Sequence, residues 1–248
     1  MEKKVDFLVK WLREQVVEAN VQGLVVGVSG GLDSAVVANL IKLAFPKQSL
    51  GVIMPIKSIP SDEDDALKVV ENAELDHIVI DLSDVHDLMI EKIHTILQNK
   101  QAYTSAQARM GDANLRARLR MSTLYTIASH YHYLVCGTDN KAEWYTGYFT
   151  KYGDGGVDLN PLVHLKKHEV QEMARFLNVP TEVIDKKPSA GLWEGQTDEM
   201  ELGLTYDVID RFLAGETISE NDRKRIETMH KVTEHKRKTP TTPPPFSS

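Results

Sequence analysis

Apolar positions along the chain recur at two different spacings. Val5, Leu8, Leu12, Val16 and Ala19 fall three or four residues apart, which predicts an amphipathic helix over residues 3–19. Four short apolar runs follow: "LVVGVS" (24–29), "SLGVIMP" (49–55), "HIVIDL" (77–82) and "YLVCGT" (133–138). Each is about strand length, and three of them lack the polar alternation of a half-exposed sheet, as strands covered on both faces do. Helical spacing returns between them. One helix is predicted from Asp33 to Leu43, and a second begins at Ser61, with Asp64 at capping-box distance and an apolar face of Ala66, Leu67, Val69, Val70 and Ala73. A third covers about Val85 to Leu97, and a long one covers about residues 103–131. Strands alternating with helices imply right-handed crossovers and an α/β fold, a doubly wound, mostly parallel sheet flanked by helices.

Beyond Thr138 the pattern changes. "WYTGYFTKYGDGGVDLNP" is dense in glycine and aromatic residues and reads as an elaborate loop, with helices resuming over about 166–177 and 198–213. The intervening "PSAGLWEGQTDEMELG" sets Gly191, Gly195 and Gly203 around Trp193 and reads as a lid. The proline-rich end reads as a frayed tail over 238–248. No internal repeat is visible. The 248 residues read as a single domain: the helix of 1–20, a core of 21–237, and the tail.

Composition narrows the class. A net charge of −7 argues against a general nucleic-acid surface. No apolar stretch approaches membrane-spanning length and the first residues lack an apolar leader, so the cytoplasm is the expected compartment. Cys136 is the single cysteine, which excludes a disulfide within the chain and a cysteine-pair metal cluster.

The chemistry concentrates where the first strand ends. In open parallel sheets ligands bind beyond the carboxyl ends of the strands. There "GVSGGLDS" (27–34) turns through Gly30 and Gly31 into a helix N-terminus, offering backbone N–H groups, the hydroxyls of Ser29 and Ser34, and the Asp33 carboxylate. This is a phosphate cradle beside a carboxylate able to hold magnesium. No G-x-G-x-x-G is present, and "GVIMPIKS" (51–58) has Ile56 where the other common phosphate loop needs glycine.

"SGGLDS" resembles the pyrophosphate loop of the N-type ATP pyrophosphatases, adenine-nucleotide α-hydrolase-like proteins of Rossmann-like fold. The run from Gly137 to Pro161 and "EHKR" near the C-terminus are similar to the ammonia-dependent NAD synthetases, in matching order from about Leu24 to Arg237. That resemblance implies amidation of deamido-NAD to NAD: ATP adenylates the nicotinate carboxylate, pyrophosphate leaves, and ammonia displaces AMP.

Site residues follow from the resemblance position by position. Gly27, Val28, Ser29, Gly30, Gly31, Leu32, Asp33 and Ser34 match the ATP loop, and Thr138, Lys167 and Ser189 match further ATP contacts. Asp33 and Glu143 match carboxylates to Mg2+, and with Lys167 they form the expected catalytic set. Arg118, Lys151, Asp158, His235 and Lys236 match contacts to deamido-NAD. A symmetric homodimer is implied, with the 103–131 helix as an interface element. Glutamine-dependent relatives carry an additional amidase domain with a nucleophilic cysteine; nothing before the first helix here supplies one, so free ammonia is the expected nitrogen source.

Read from the residues alone, Arg109, Arg116 and Arg120 share one helix face that either is solvated or pairs with acids, whereas Arg118 points elsewhere. Tyr145, Tyr148 and Phe149 suit either a nicotinate stack or the core. Two other uses of the loop remain open: tRNA or purine-nucleotide chemistry, and a nucleotide sensor that does not cleave ATP. A single cysteine weighs against thiolation, and paired carboxylates weigh against a sensor.

Overall fold

The computed structural model describes residues 1–58, 60–189 and 197–246. Four parallel strands form its sheet: β1 (Gly23–Gly27), β2 (Ser49–Ile53), β3 (Asp76–Val79) and β4 (Tyr133–Cys136), in the order β3-β2-β1-β4. Leu24 lies opposite Ser49 on one side and Leu134 on the other, and Val26 lies opposite Gly51 and Cys136. The chain moves outward from β1 to β3 and then returns to the other side of β1. The strand order therefore reverses between β1 and β4, and their carboxyl ends bound the crevice where ligands bind in such sheets.

Both faces are covered, as the unbroken apolar runs require. Val25, Leu50, Val52 and Val135 pack with Leu124 and Ala128 of α5 (Ser105–Tyr131). Leu24, Val26, Ile53 and Cys136 face the opposite way, in one cluster with Val36, Val37 and Leu40 of α2 (Leu32–Ala44). Outside α2 lies α1 (Glu2–Glu18), which buries Val5, Leu8, Val9, Leu12 and Val16. Each of those side chains contributes about 1.5–3 kcal/mol relative to exposure. β3 is the exception among the four apolar runs: it is the edge strand and mostly exposed. The other edge is covered. Leu159 bridges to Cys136, and the Asp158 N–H donates to the Val135 carbonyl at 3.0 Å.

Outer helices α3 (Pro60–Asn72) and α4 (Ser83–Asn99) follow β2 and β3. Past β4 the order is α6 (Lys141–Thr146), α7 (Lys167–Phe176), α8 (Thr181–Ile184), α9 (Asp198–Leu202), α10 (Tyr206–Leu213) and α11 (Glu220–Val232). The expected single helix over 198–213 is two, because Gly203 adopts φ +63° and ends α9. α6 overlaps the start of the stretch that the sequence reads as loop from Trp144, and α11 lies in a stretch with no predicted element. A second small core of Ala142, Leu202, Leu204, Tyr206, Ile209 and Ile226 fastens α6, α9, α10 and α11 together.

Candidate active site

The loop leaving β1 is shaped by its own hydroxyls. Gly30 adopts φ +76°, and a Cβ there would lie 2.8 Å from the Ala66 nitrogen and the Asp62 oxygen of α3. Only glycine fits that conformation and that approach. Gly31 is the N-cap of α2 and has no side chain to close it, so the first N–H groups of α2 face the crevice. Ser29 is exposed. Ser34 is buried and turned inward, its hydroxyl donating to the Gly31 carbonyl at 2.9 Å and lying 3.2 Å from the Ser29 hydroxyl. Ser34 thus holds the turn while Ser29 faces the open side.

Asp33 and Glu143 are 110 positions apart in sequence and meet at one ammonium. Lys167 Nζ lies 2.5 Å from Asp33 Oδ2 and 3.4 Å from Glu143 Oε1. The sequence expectation for these three residues therefore describes one cluster. Local capping sets Glu143: the Asn140 side chain accepts from the Ala142 and Glu143 N–H groups at 3.0 and 3.1 Å, and Glu143 Oε2 accepts from the Asn140 N–H. This capping box aims Glu143 Oε1 inward. The Asn140 amide also donates to Asp33 Oδ1 at 3.1 Å, so it ties the β1 loop to the β4 loop. Thr138 lies half-buried between β4 and Asn140, on the same rim.

Lys167 is held from α10. Asp210 accepts the N–H groups of Lys167 and His168, each at 3.2 Å, closing the N-terminus of α7. The Lys167 ammonium sits 4.7 Å from the centre of the Tyr206 ring. The Tyr206 hydroxyl lies 2.9 Å from Glu143 Oε1 and 3.0 Å from Asp198 Oδ2. None of Asn140, Asp198, Tyr206 and Asp210 was among the expected site residues. Asn140 with Glu143 three residues on is a readable capping signal, whereas the others sit on elements with no local motif.

Burial and charge make this cluster electrostatically tense. The Glu143 carboxyl is pushed up to about 7, first by burial and then by the Asp33 charge, against the pull of Lys167, the Asn140 N–H and the Tyr206 hydroxyl. Burial also holds Asp139 well above the usual carboxylate range, and the nearby charges of Asp154, Glu143 and Asp33 add to it. Burial alone would depress Lys167, yet Asp33 and Glu143 overcome it and keep the ammonium charged. Several carboxylates converge on one lysine, so the crevice has an excess of negative charge suited to a cation shared with phosphates.

A second group of expected residues gathers at the C-terminal turn. Arg118 of α5 donates through Nε and Nη2 to the Lys151 carbonyl, both at 3.3 Å. The Lys151 ammonium reaches the His235 carbonyl at 2.6 Å, and Lys236 donates to the carbonyls of Gly147 and Phe149 at 2.8 and 2.6 Å. The charged "EHK" is therefore clasped onto the loop after α6. Gly147 permits the approach: it has φ +70°, and a Cβ there would lie 2.3 Å from Thr233.

Asp158 has a different place. One carboxylate oxygen accepts the Val135 N–H at 2.8 Å and the other the Tyr125 hydroxyl at 2.9 Å, so it fastens the edge of β4. Arg116 pairs with Asp112 at 2.7 Å and Arg120 donates to the Met54 carbonyl at 3.0 Å, both half-buried, while Arg109 on the same face is exposed. Trp144 and Phe149 stack on each other at 5.2 Å, and Tyr145 stacks on His230 at 4.1 Å. Ser189 is exposed beside the lid expected around Trp193, Gly191 and Gly195; those three residues lie outside the described ones.

A parallel doubly wound sheet, with an open helix N-terminus and paired carboxylates at its switch point, defines a nucleotide-binding α/β protein. The family model described as NAD synthase matches residues 4–240, and the chain belongs to that family. It is 54% identical over 243 residues to the NH(3)-dependent NAD(+) synthetase of Alkaliphilus oremlandii, covering 98% of this chain and 97% of that protein. Among solved structures it is similar to the NMN synthetase of Francisella tularensis, with TM-score 0.89 and 40% identity over 98% of both chains. It is also similar to the NH3-dependent NAD synthetase of Campylobacter jejuni, with TM-score 0.77 and 28% identity over 97% of both.

Proposed function

We propose that this chain amidates deamido-NAD to NAD with ammonia, consuming ATP. The observation that carries this reading is the meeting of Asp33, Glu143 and Lys167 at the carboxyl ends of β1 and β4, beside an uncapped helix N-terminus. A nicotinate anion resists ammonia, so it must first be activated. Its carboxylate oxygen attacks the ATP α-phosphorus, and the bond to the β-phosphate oxygen breaks, releasing pyrophosphate. Ammonia then adds to the activated carbonyl carbon, the bond to AMP breaks, and the nitrogen loses a proton.

The chain's part is positioning and charge. N–H groups of the Ser29–Ser34 turn, with the Ser29 hydroxyl, receive the β- and γ-phosphates. Lys167 approaches the α-phosphate, where negative charge builds as pyrophosphate departs. Thr138 and Ser189 complete the ATP contacts. The donor set fits magnesium: Asp33 and Glu143 supply two carboxylates, and Mg2+ commonly takes one or two together with phosphates. Among the described residues no group of three or more histidine, cysteine or acidic side chains could hold a metal ion, so phosphate oxygens would have to complete the set. When bound, the ion neutralises phosphate charge. Arg118, Lys151, His235 and Lys236 form the expected deamido-NAD surface, Arg118 opening onto a cavity of about 300 Å³ between α4 and α5. Asp158 belongs to the same expected set, its two carboxylate oxygens accepting from the Tyr125 hydroxyl and the Val135 N–H.

We assign one catalytic domain in a symmetric homodimer, placed in the cytoplasm. No helix among the described residues is long and apolar enough to cross a membrane. Val85, Leu88, Met89 and Ile96 are exposed on α4, and we place the contact with a second copy there. Light scattering is expected to give twice the chain mass, and Leu88→Glu to give monomer.

The decisive assay follows AMP, pyrophosphate and NAD together, with ATP, deamido-NAD and ammonium present. Equal amounts of all three products are expected. ATP binding with no products would return the chain to a sensor. Nicotinate mononucleotide as acceptor is a second reading, favoured by the Francisella tularensis neighbour; running both acids in parallel distinguishes them.

A further inference from the structure

We infer that Tyr206 is a positioning residue for the reaction: its hydroxyl orients Glu143 and its ring seats the Lys167 ammonium. This rests on the proposed assignment of Asp33 and Glu143 to magnesium. Tyr206 is the first residue of α10 and is 5% exposed. Its apolar neighbours Ala142, Leu202, Leu204, Ile209 and Ile226 require only a ring there. A phenylalanine would satisfy them. The hydroxyl has another use, because it sits 2.9 Å from Glu143 Oε1 and 3.0 Å from Asp198 Oδ2, away from water.

Glu143 needs that donor. Its Oε2 is fixed by the Asn140 N–H, but among the described residues the inward oxygen, Oε1, otherwise meets only the longer 3.4 Å contact to Lys167. A carboxylate held at one oxygen can rotate about its last torsion. Donated to Glu143 Oε1, the single proton of the Tyr206 hydroxyl removes that freedom. The ring face, 4.7 Å from the Lys167 ammonium, restrains the third member of the cluster. α10 also carries Asp210, which fixes the backbone of Lys167, so one short helix sets both the lysine and the glutamate.

Tyr148 extends the network outward. Its hydroxyl lies 3.2 Å from Asp198 and 2.5 Å from Glu201, so α9 is joined through Asp198 and Tyr206 to Glu143. Removing a hydrogen bond of this kind behind a metal ligand costs about 10- to 100-fold in metal affinity or activity.

The test is Tyr206→Phe, which keeps the ring. Mn2+ binding in the presence of ATP is measured by electron paramagnetic resonance, beside the Mg2+ dependence of turnover and urea unfolding. Affinity for Mn2+ is expected to fall about tenfold, with turnover largely restored at high Mg2+. Unchanged Mn2+ affinity in Tyr206→Phe overturns the inference, whatever happens to stability, since a merely structural hydroxyl would move only the unfolding curve. Asp33→Asn and Glu143→Gln are titrated in parallel. If they weaken Mn2+ and Tyr206→Phe does not, this inference alone fails; if neither weakens it, the metal assignment fails as well.

Discussion

Glu143→Gln and Asp33→Asn are each expected to lower the rate of adenylation by roughly 100-fold, with the fold intact. Both changes keep the shape and one acceptor oxygen, and turn the oxygen beside Lys167 into an amide donor. A glutamine carbonyl at 143 still accepts the Asn140 N–H, and an asparagine carbonyl at 33 still accepts the Asn140 amide, so the link between the β1 and β4 loops persists. What disappears is one negative charge beside Lys167 and the proposed cation. Loss of the Glu143 charge relieves a buried carboxylate already pushed up to about 7 by burial and by Asp33, but it also removes one of the two charges that keep Lys167 protonated. Pyrophosphate release in a single turnover, followed across a Mg2+ titration, reads the effect directly. Each variant should require more Mg2+. Near-native rates at low Mg2+ in either variant would remove that residue from the centre.

Ammonium is expected to support NAD formation by the purified chain, and glutamine freed of ammonium is not. Taking nitrogen from glutamine requires a nucleophile, ordinarily an exposed thiolate of low pKa. The single cysteine fails on both counts. Cys136 is 2% exposed at the end of β4, and burial, with the Asp158 charge adding, pushes its thiol far above the ordinary range. NAD formed from glutamine at a rate comparable to ammonium would overturn this, and Cys136→Ser would then show whether the thiol was responsible.

Much of this protein was legible before any fold. The apolar runs mark β1, β2 and β4 because strands covered on both faces are apolar throughout, and their length suits strands rather than helices. The run at 77–82 was legible as a strand but not as an exposed edge, since edge position depends on what lies beside it. "SGGLDS" announced the turn from β1 into α2 for a local reason: Gly30 must adopt positive φ, and the next residues begin a helix. These are properties of a few neighbouring residues, and a sequence displays them.

Tertiary structure decided the rest. Asp33, Glu143 and Lys167 lie on three elements, and only the order β3-β2-β1-β4 brings β1 and β4 side by side so that their carboxyl ends share one rim. Tyr206 and Asp210 carry no motif; they act because a small core fastens α10 against α6. Asp158 reads as a loop carboxylate beside a glycine-rich turn, yet both its oxygens belong to β4 and Tyr125. Hydrogen-bond partners far apart in the chain leave no trace in local spacing, because folding free energy selects them only after the sheet has set the distances between elements. Short-range backbone geometry was written in the sequence, and the convergence of side chains on Lys167 was written in the packing.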